Sequence, residues 1–140
     1  MRVLSRLSKD RNGTSALEFA IIAPLFFLVL FTLMAYGIYL SVTHSVQQIA
    51  ADAARTAVAG LNPTERVTLV NRYLDASRFN YSFLNRKKMN VLVADDPGNP
   101  DQFTVTISYD SSDLPIWKMF TFALPEEKIE RYATVRVGGM

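Results

Sequence analysis

The sequence contains no cysteine and a single histidine, His44. Without cysteine there is no disulfide, no thiolate nucleophile and no Cys-type zinc site, and the redox compartment leaves no trace in the composition. A lone imidazole excludes a His-rich zinc site as well, and His44, near the outer end of an apolar stretch, reads as an interfacial helix residue. No serine sits in a glycine-framed nucleophile elbow, and there is no glycine-rich loop of the kind that cradles phosphate. The chain therefore reads as a non-enzyme without a cofactor or a small-molecule substrate.

Charge is the next scarcity. Residues 19–40 are 22 positions without a charged side chain, and the next fully charged one is Asp52. At about 1.5 Å per residue, such a helix reaches about 33 Å, enough for a hydrocarbon core of about 30 Å. A cleavable secretory signal has a shorter apolar stretch, about 7–15 residues, ending at a small-residue cut site. Here the small-x-small pairs Ala51/Ala53 and Ala57/Ala59 lie more than a turn beyond the run, so the span reads as an anchor, its transmembrane part at about 19–43.

The formal charge of +2 is unevenly placed. Four of the fifteen cations (Arg2, Arg6, Lys9, Arg11) and one of the thirteen acids, Asp10, precede Gly13, so the remaining eleven cations and twelve acids leave the rest of the chain slightly negative. That argues against nucleic acid as a partner, since a broad basic face is missing. The cations before Gly13 and their absence for many residues after Leu40 place the N-terminus in the cytoplasm by the positive-inside bias, with the remainder outside the membrane. In 140 residues there is room for one small domain besides the anchor.

Within the span, Pro24 lacks an N–H and crowds the carbonyl of Ala20, so a kink or loosened turn is expected there. Gly37, Ser41 and Ser45 recur every four residues, as do Ala16 and Ala20, giving narrow stripes where another helix can approach, or else ordinary small-residue content of an anchor. Glu18 stands one residue before the run, where an ionised carboxylate costs less than the about 2.5–3.5 kcal/mol of mid-bilayer. It is either a snorkelling boundary residue or one half of a pair. If the chain were cut after Gly13, the new ammonium of Thr14 and the Glu18 carboxylate would share a helical face at i and i+4.

Gly13, four residues, Glu18 and then a long apolar helix resemble the class III signal of type IV pilin-like proteins. More narrowly, A-L-E-F-A-I-I-A-P (16–24) followed by S-V-Q-Q-I-A-A-D-A-A-R-T-A-V (45–58) resembles the TadE-like family, the pseudopilins or minor pilins of tight-adherence (Flp) pilus systems. R-Y-A-T-V-R-V (131–137) extends the resemblance to the family's last strand. The resemblance implies a basic cytoplasmic leader at 1–13, cleavage after Gly13 by a membrane prepilin peptidase, and subunit docking through Glu18. It also implies sibling pilins and an assembly platform as partners, an inner-membrane location, and incorporation into a pilus. Thr14 departs from the large apolar first residue common among type IV pilins.

Beyond the membrane the helical period persists. Val42, Val46, Ile49, Ala50, Ala53, Ala57 and Leu61 fall at three- or four-residue steps, predicting one helix over about 14–61 with its outer half on a head at 62–140. Gly60, Asn62 and Pro63 stop it. Asn62 then caps a second helix, with Pro63 at its first position, Glu65 as the reciprocal capping acid, and Val67, Val70, Tyr73 and Leu74 as its buried stripe. After Asn85 the period becomes two: Met89, Val91 and Val93, a turn at 95–100, then Phe103, Val105, Ile107 and Tyr109, and a third strand at 129–137. The expected fold is α+β: a long N-terminal transmembrane helix continuing into a small pilin-like head with a second helix and a three-stranded antiparallel sheet.

Three further features have two readings each. Asp95, Asp96, Asn99 and Asp101 carry oxygen ligands suited to calcium, but Pro97 and Pro100 among them read as turn chemistry. The stretch 114–125 is unusually apolar for a connection. Its Trp117, Phe120 and Phe122 either pack over the sheet or contact a partner or lipid headgroups. Arg86, Lys87 and Lys88 read as a solvated strand entry, or as a site for anionic lipid.

Overall fold

The computed structural model describes residues 11–76, 83–119 and 124–137, with side chains from Thr14 onward. Helix α1, Arg11–Ala57, is 47 residues long and contains Pro24. The helix runs through Pro24 without a break, so the missing N–H costs one bond of a long ladder rather than ending it. Hydroxyls in the apolar half satisfy themselves locally, as where Thr32 donates to the carbonyl of Leu28 at 2.7 Å.

The C-terminal half of α1 is covered on one face. Val42, Val46, Ile49, Ala50, Ala53 and Ala57 are buried as their spacing predicts, and Ala54 joins them. Alanine along this stripe lets the helix lie close to the sheet and to the second helix. Leu61 does not belong to the stripe: it is 89 % exposed. The helix ends at Ala57 in a tightened turn (Val58 N–H to Arg55 O, Gly60 N–H to Ala57 O), so the period that placed Leu61 inward stops before reaching it.

Helix α2, Pro63–Ala76, starts as its sequence dictates. The Asn62 side chain accepts the Glu65 N–H at 2.9 Å, and Glu65 reaches back at 2.8 Å to the N–H of Leu61, one residue earlier than the cap itself. Val70 and Leu74 are buried, Val67 and Tyr73 half-buried. The third residue on that face, Arg66, is also buried, which the apolar pattern does not reveal.

Three strands follow: β1 (Met89–Asp96), β2 (Asn99–Asp110) and β3 (Lys128–Arg136), in the order β1-β2-β3 and antiparallel throughout. Phe103, Val105, Ile107 and Tyr109 are buried on the inner face, and α1 and α2 both lie against it. On the other face Thr106 sits between Leu92 and Tyr132, both exposed, and Thr104 and Thr134 share a hydroxyl contact of 2.8 Å. The turn is tighter than expected, with Pro97 and Gly98 alone between the strands. The register shifts after Asp95, so that Asp95 faces Phe103 and Asp96 faces Asn99. Pro100 falls in this irregular stretch, where a missing N–H does not interrupt regular pairing. The fold is α+β, with the expected helices and sheet.

Candidate functional site

The N-terminal half of α1 is an apolar surface that the chain does not cover. Of its side chains from Leu17 to Met34, thirteen large hydrophobic ones are exposed, beginning with Leu17 and Phe19. Phe26, Phe27 and Phe31 contact one another along it, at 5.7 and 6.0 Å between centroids. This helix is long and apolar enough to cross a membrane, with 6 % of its most apolar window buried. A helix that is apolar all round, yet solvent-facing within its own chain, is stable only in lipid or against other helices.

Gly13 lies in the opening turn of α1, and Thr14 and Glu18 are both exposed, one turn apart. Among the described residues Glu18 has no ion-pair partner, and it stands at the start of the apolar surface. Ala16 and Ala20 are exposed on neighbouring turns, and Pro24 is exposed as well. Gly37 is open: a methyl group built on it would meet nothing within 4 Å. Ser41 is exposed, and Ser45 donates to the Ser41 carbonyl at 2.9 Å. The small residues predicted for helix packing thus lie off the face used by the head, which takes Val42, Val46 and Ile49.

The connection from β2 to β3 is organised from within. Trp117 is 7 % exposed, its indole N–H donates to the Ser111 carbonyl at 2.6 Å, and its ring meets Tyr39 of α1 edge-on at 6.3 Å. Ser111 is fully buried, and its own hydroxyl and N–H both donate to the carbonyl of Glu127. Leu114 and Ile116 are buried beside it, which accounts for the apolar composition of the segment. Phe120 and Phe122 lie outside the described residues. A partner surface here would therefore not be made by the Trp117 ring itself.

The remaining polar candidates are engaged in structural roles. Asp96 accepts the Gly98 N–H at 2.8 Å, Asn99 accepts the Asp101 N–H at 3.1 Å, and Asp95 pairs with Arg66 at 2.5 Å. These are turn and helix-to-strand contacts. Among the described residues no group of three or more His, Asp or Glu is placed to hold a metal ion. Two members of the basic cluster are likewise engaged: Arg86 pairs with Asp75 at 2.9 Å and donates to Asn71, and Lys88 pairs with Asp113 at 2.7 Å, while the Lys87 side chain is exposed. The Asp113 carboxylate raises the Lys88 ammonium above its ordinary pKa, while the Ser112 backbone N–H holds Asp110 below its own. Glu130 is lowered by Lys128 and Ser108, and burial raises Tyr109, whose hydroxyl donates to the Phe83 carbonyl. Two open hollows of about 300 and 240 Å³ flank Tyr109; along them Lys88 pairs with Asp113, and Lys128 with the neighbouring Glu130.

The described residues thus form a small α+β head carried on one membrane-length helix, an arrangement that suggests a single-pass membrane protein. Within that class the helix is similar to one family: the model of the family described as TadE-like protein matches residues 13–55, from Gly13 to two residues before the end of α1. The match covers the helix and leaves the head outside it. No curated protein and no solved structure matches the chain.

Proposed function

We propose that the protein is a pseudopilin, or minor pilin, that takes part in building a tight-adherence pilus, acting by assembly rather than by turnover. One observation carries this reading. The TadE-like match coincides with α1, and within it Glu18 follows Gly13 by five residues, at the start of an apolar helix surface that the head leaves bare. In this reading the chain sits in the inner membrane with its N-terminus cytoplasmic and its head outside. Prepilin peptidase cuts after Gly13, and the mature helix docks against sibling pilins and the assembly platform. The Glu18 carboxylate then meets the new terminal ammonium of Thr14, in the same chain or in a neighbour, where a low dielectric strengthens the pair.

The test is the intact mass of the membrane-extracted protein from cells with and without the peptidase. Loss of the first thirteen residues only when the peptidase is present is the expected result. Full-length mass in both cells overturns processing and leaves the second reading, an uncleaved single-pass scaffold whose head binds an envelope protein. Thr14, in the place of a large apolar first residue, is the observation that favours that alternative.

The small-residue stripe gives a separate expectation. Because a Cβ at Gly37 meets nothing within 4 Å, Gly37→Leu is expected to leave the unfolding temperature of the extracted protein unchanged or slightly higher, since leucine is a good helix former and glycine lies about 0.8–1 kcal/mol below alanine. Pilus assembly is expected to fall sharply, because leucine holds neighbouring backbones apart. Normal pilus numbers in the variant would show that this stripe is not a packing face.

A further inference from the structure

The head covers more of α1 than hydropathy reveals. Ala35 is 2 % exposed and belongs to the head's core cluster, and Tyr39 meets Trp117. Contacts between head and helix descend in order: Gln47 donates to the Tyr132 carbonyl of β3 at 3.1 Å, and Tyr39, about 12 Å nearer the N-terminus, carries the indole. A span reaching residue 43 would submerge Trp117, the turn around it and the polar groups of Ser111 to Asp113. From Ala35 toward the N-terminus the large apolar side chains of α1 are bare as far as Leu17. A hydrocarbon core of about 30 Å takes about 17–25 residues of helix, so the bare stretch lies within the spanning range.

We propose that the head rests on the outer surface of the bilayer through the turn Pro115–Lys118 and the residue after it, with the hydrocarbon ending near Ala35 rather than near residue 43. Met119, 46 % exposed, enters the headgroup layer, and the exposed Lys118 beside it meets lipid phosphate. Trp117, Tyr36 and Tyr39 stand at this level, as interfacial aromatic side chains do. A lipid surface is the proposed occupant, because the bare apolar face of α1 ends just below the level at which Tyr39 meets Trp117. One consequence follows at the other end: counting about twenty residues inward from Ala35 brings the inner boundary to about residue 16, so Glu18 lies just inside the hydrocarbon.

The inference rests on α1 being a membrane anchor and not on processing or pilus assembly. Trp117 is the one tryptophan of the chain, so its emission reports this site alone. The full chain is reconstituted in vesicles of zwitterionic lipid with a fraction of anionic lipid, carrying nitroxide at the headgroup, high on the acyl chain or near its end. Quenching is expected to be strongest with the headgroup and high-chain labels. In the Lys118→Glu, Met119→Asp variant, altered only at exposed positions, it is expected to weaken. Strongest quenching by the deep label, no quenching at any depth, or no change in the variant overturns the proposal. A chain that fails to float with the vesicles after an alkaline wash removes the anchor reading and the proposal with it, an outcome distinct from an anchored but unquenched head.

Discussion

On the pilin reading, Glu18→Ala is expected to leave the protein fully retained in the membrane and to abolish or severely reduce pilus assembly. Retention follows from the cost of the charge: removing an ionised carboxylate from the edge of an apolar helix makes insertion easier. The fold is not at risk either, because among the described residues Glu18 pairs with nothing and its side chain is exposed. Any loss must therefore arise between chains. A hydrogen bond between charged partners contributes about 1.5–3 kcal/mol, which is about a tenfold to hundredfold change in a docking equilibrium. Membrane retention after an alkaline wash and counts of surface filaments measure the two halves separately. Glu18→Gln, which keeps hydrogen bonding without charge, is expected to assemble weakly. Unaltered piliation in Glu18→Ala would reduce the residue to a boundary carboxylate.

Much of this architecture is legible from sequence because it rests on local rules. The charge-free run, the Asn62 and Glu65 caps and the alternation from Phe103 to Tyr109 each depend on neighbours within a few positions, and each has its expected structural counterpart. Leu61 shows the limit of periodicity, since a pattern continues on paper past the point where the backbone has already turned. The depth at which the head meets the helix is hidden for a different reason. Side chains such as Ala35 and Ile38, covered by protein, are as apolar as Leu33 and Met34, which face outward, so hydropathy cannot mark where lipid gives way to the head. The Trp117 loop has two readings in the sequence because its inward turn depends on the Ser111 carbonyl and on Tyr39, which lies 78 positions away. The residues proposed for docking lie on helix positions that sequence can name, but the partners proposed for them belong to other chains.

Arg66 is the position least readable from sequence and central to the head's stability. It occupies the i position of a stripe continued by Val70 and Leu74, where a charged side chain normally marks the solvent edge. Here its guanidinium lies 4.5 Å above the centre of the Phe103 ring, donates to the Gly60 carbonyl at 3.2 Å, and pairs with Asp95. Gly60 permits this approach: a methyl group on it would fall 2.9 Å from the Arg66 backbone nitrogen. Phe103→Ala removes a fully buried ring from beneath the charge and is expected to cost about 3–5 kcal/mol. Arg66→Met keeps much of the bulk but leaves the Gly60 carbonyl without its donor, and is expected to cost about 1–3 kcal/mol. The Asp95 partner adds little to that, because its carboxylate is 44 % exposed and regains water. The double variant distinguishes cation–π attraction from simple packing. With Phe103 already gone, replacing Arg66 should cost less than it does in the intact protein, by roughly 0.5–2 kcal/mol. Unfolding of the detergent-extracted protein, followed through the emission of Trp117 in the same core, measures all three differences. Strict additivity would mean that ring and guanidinium are neighbours without mutual stabilisation, leaving the Gly60 carbonyl as the reason a charge is buried there.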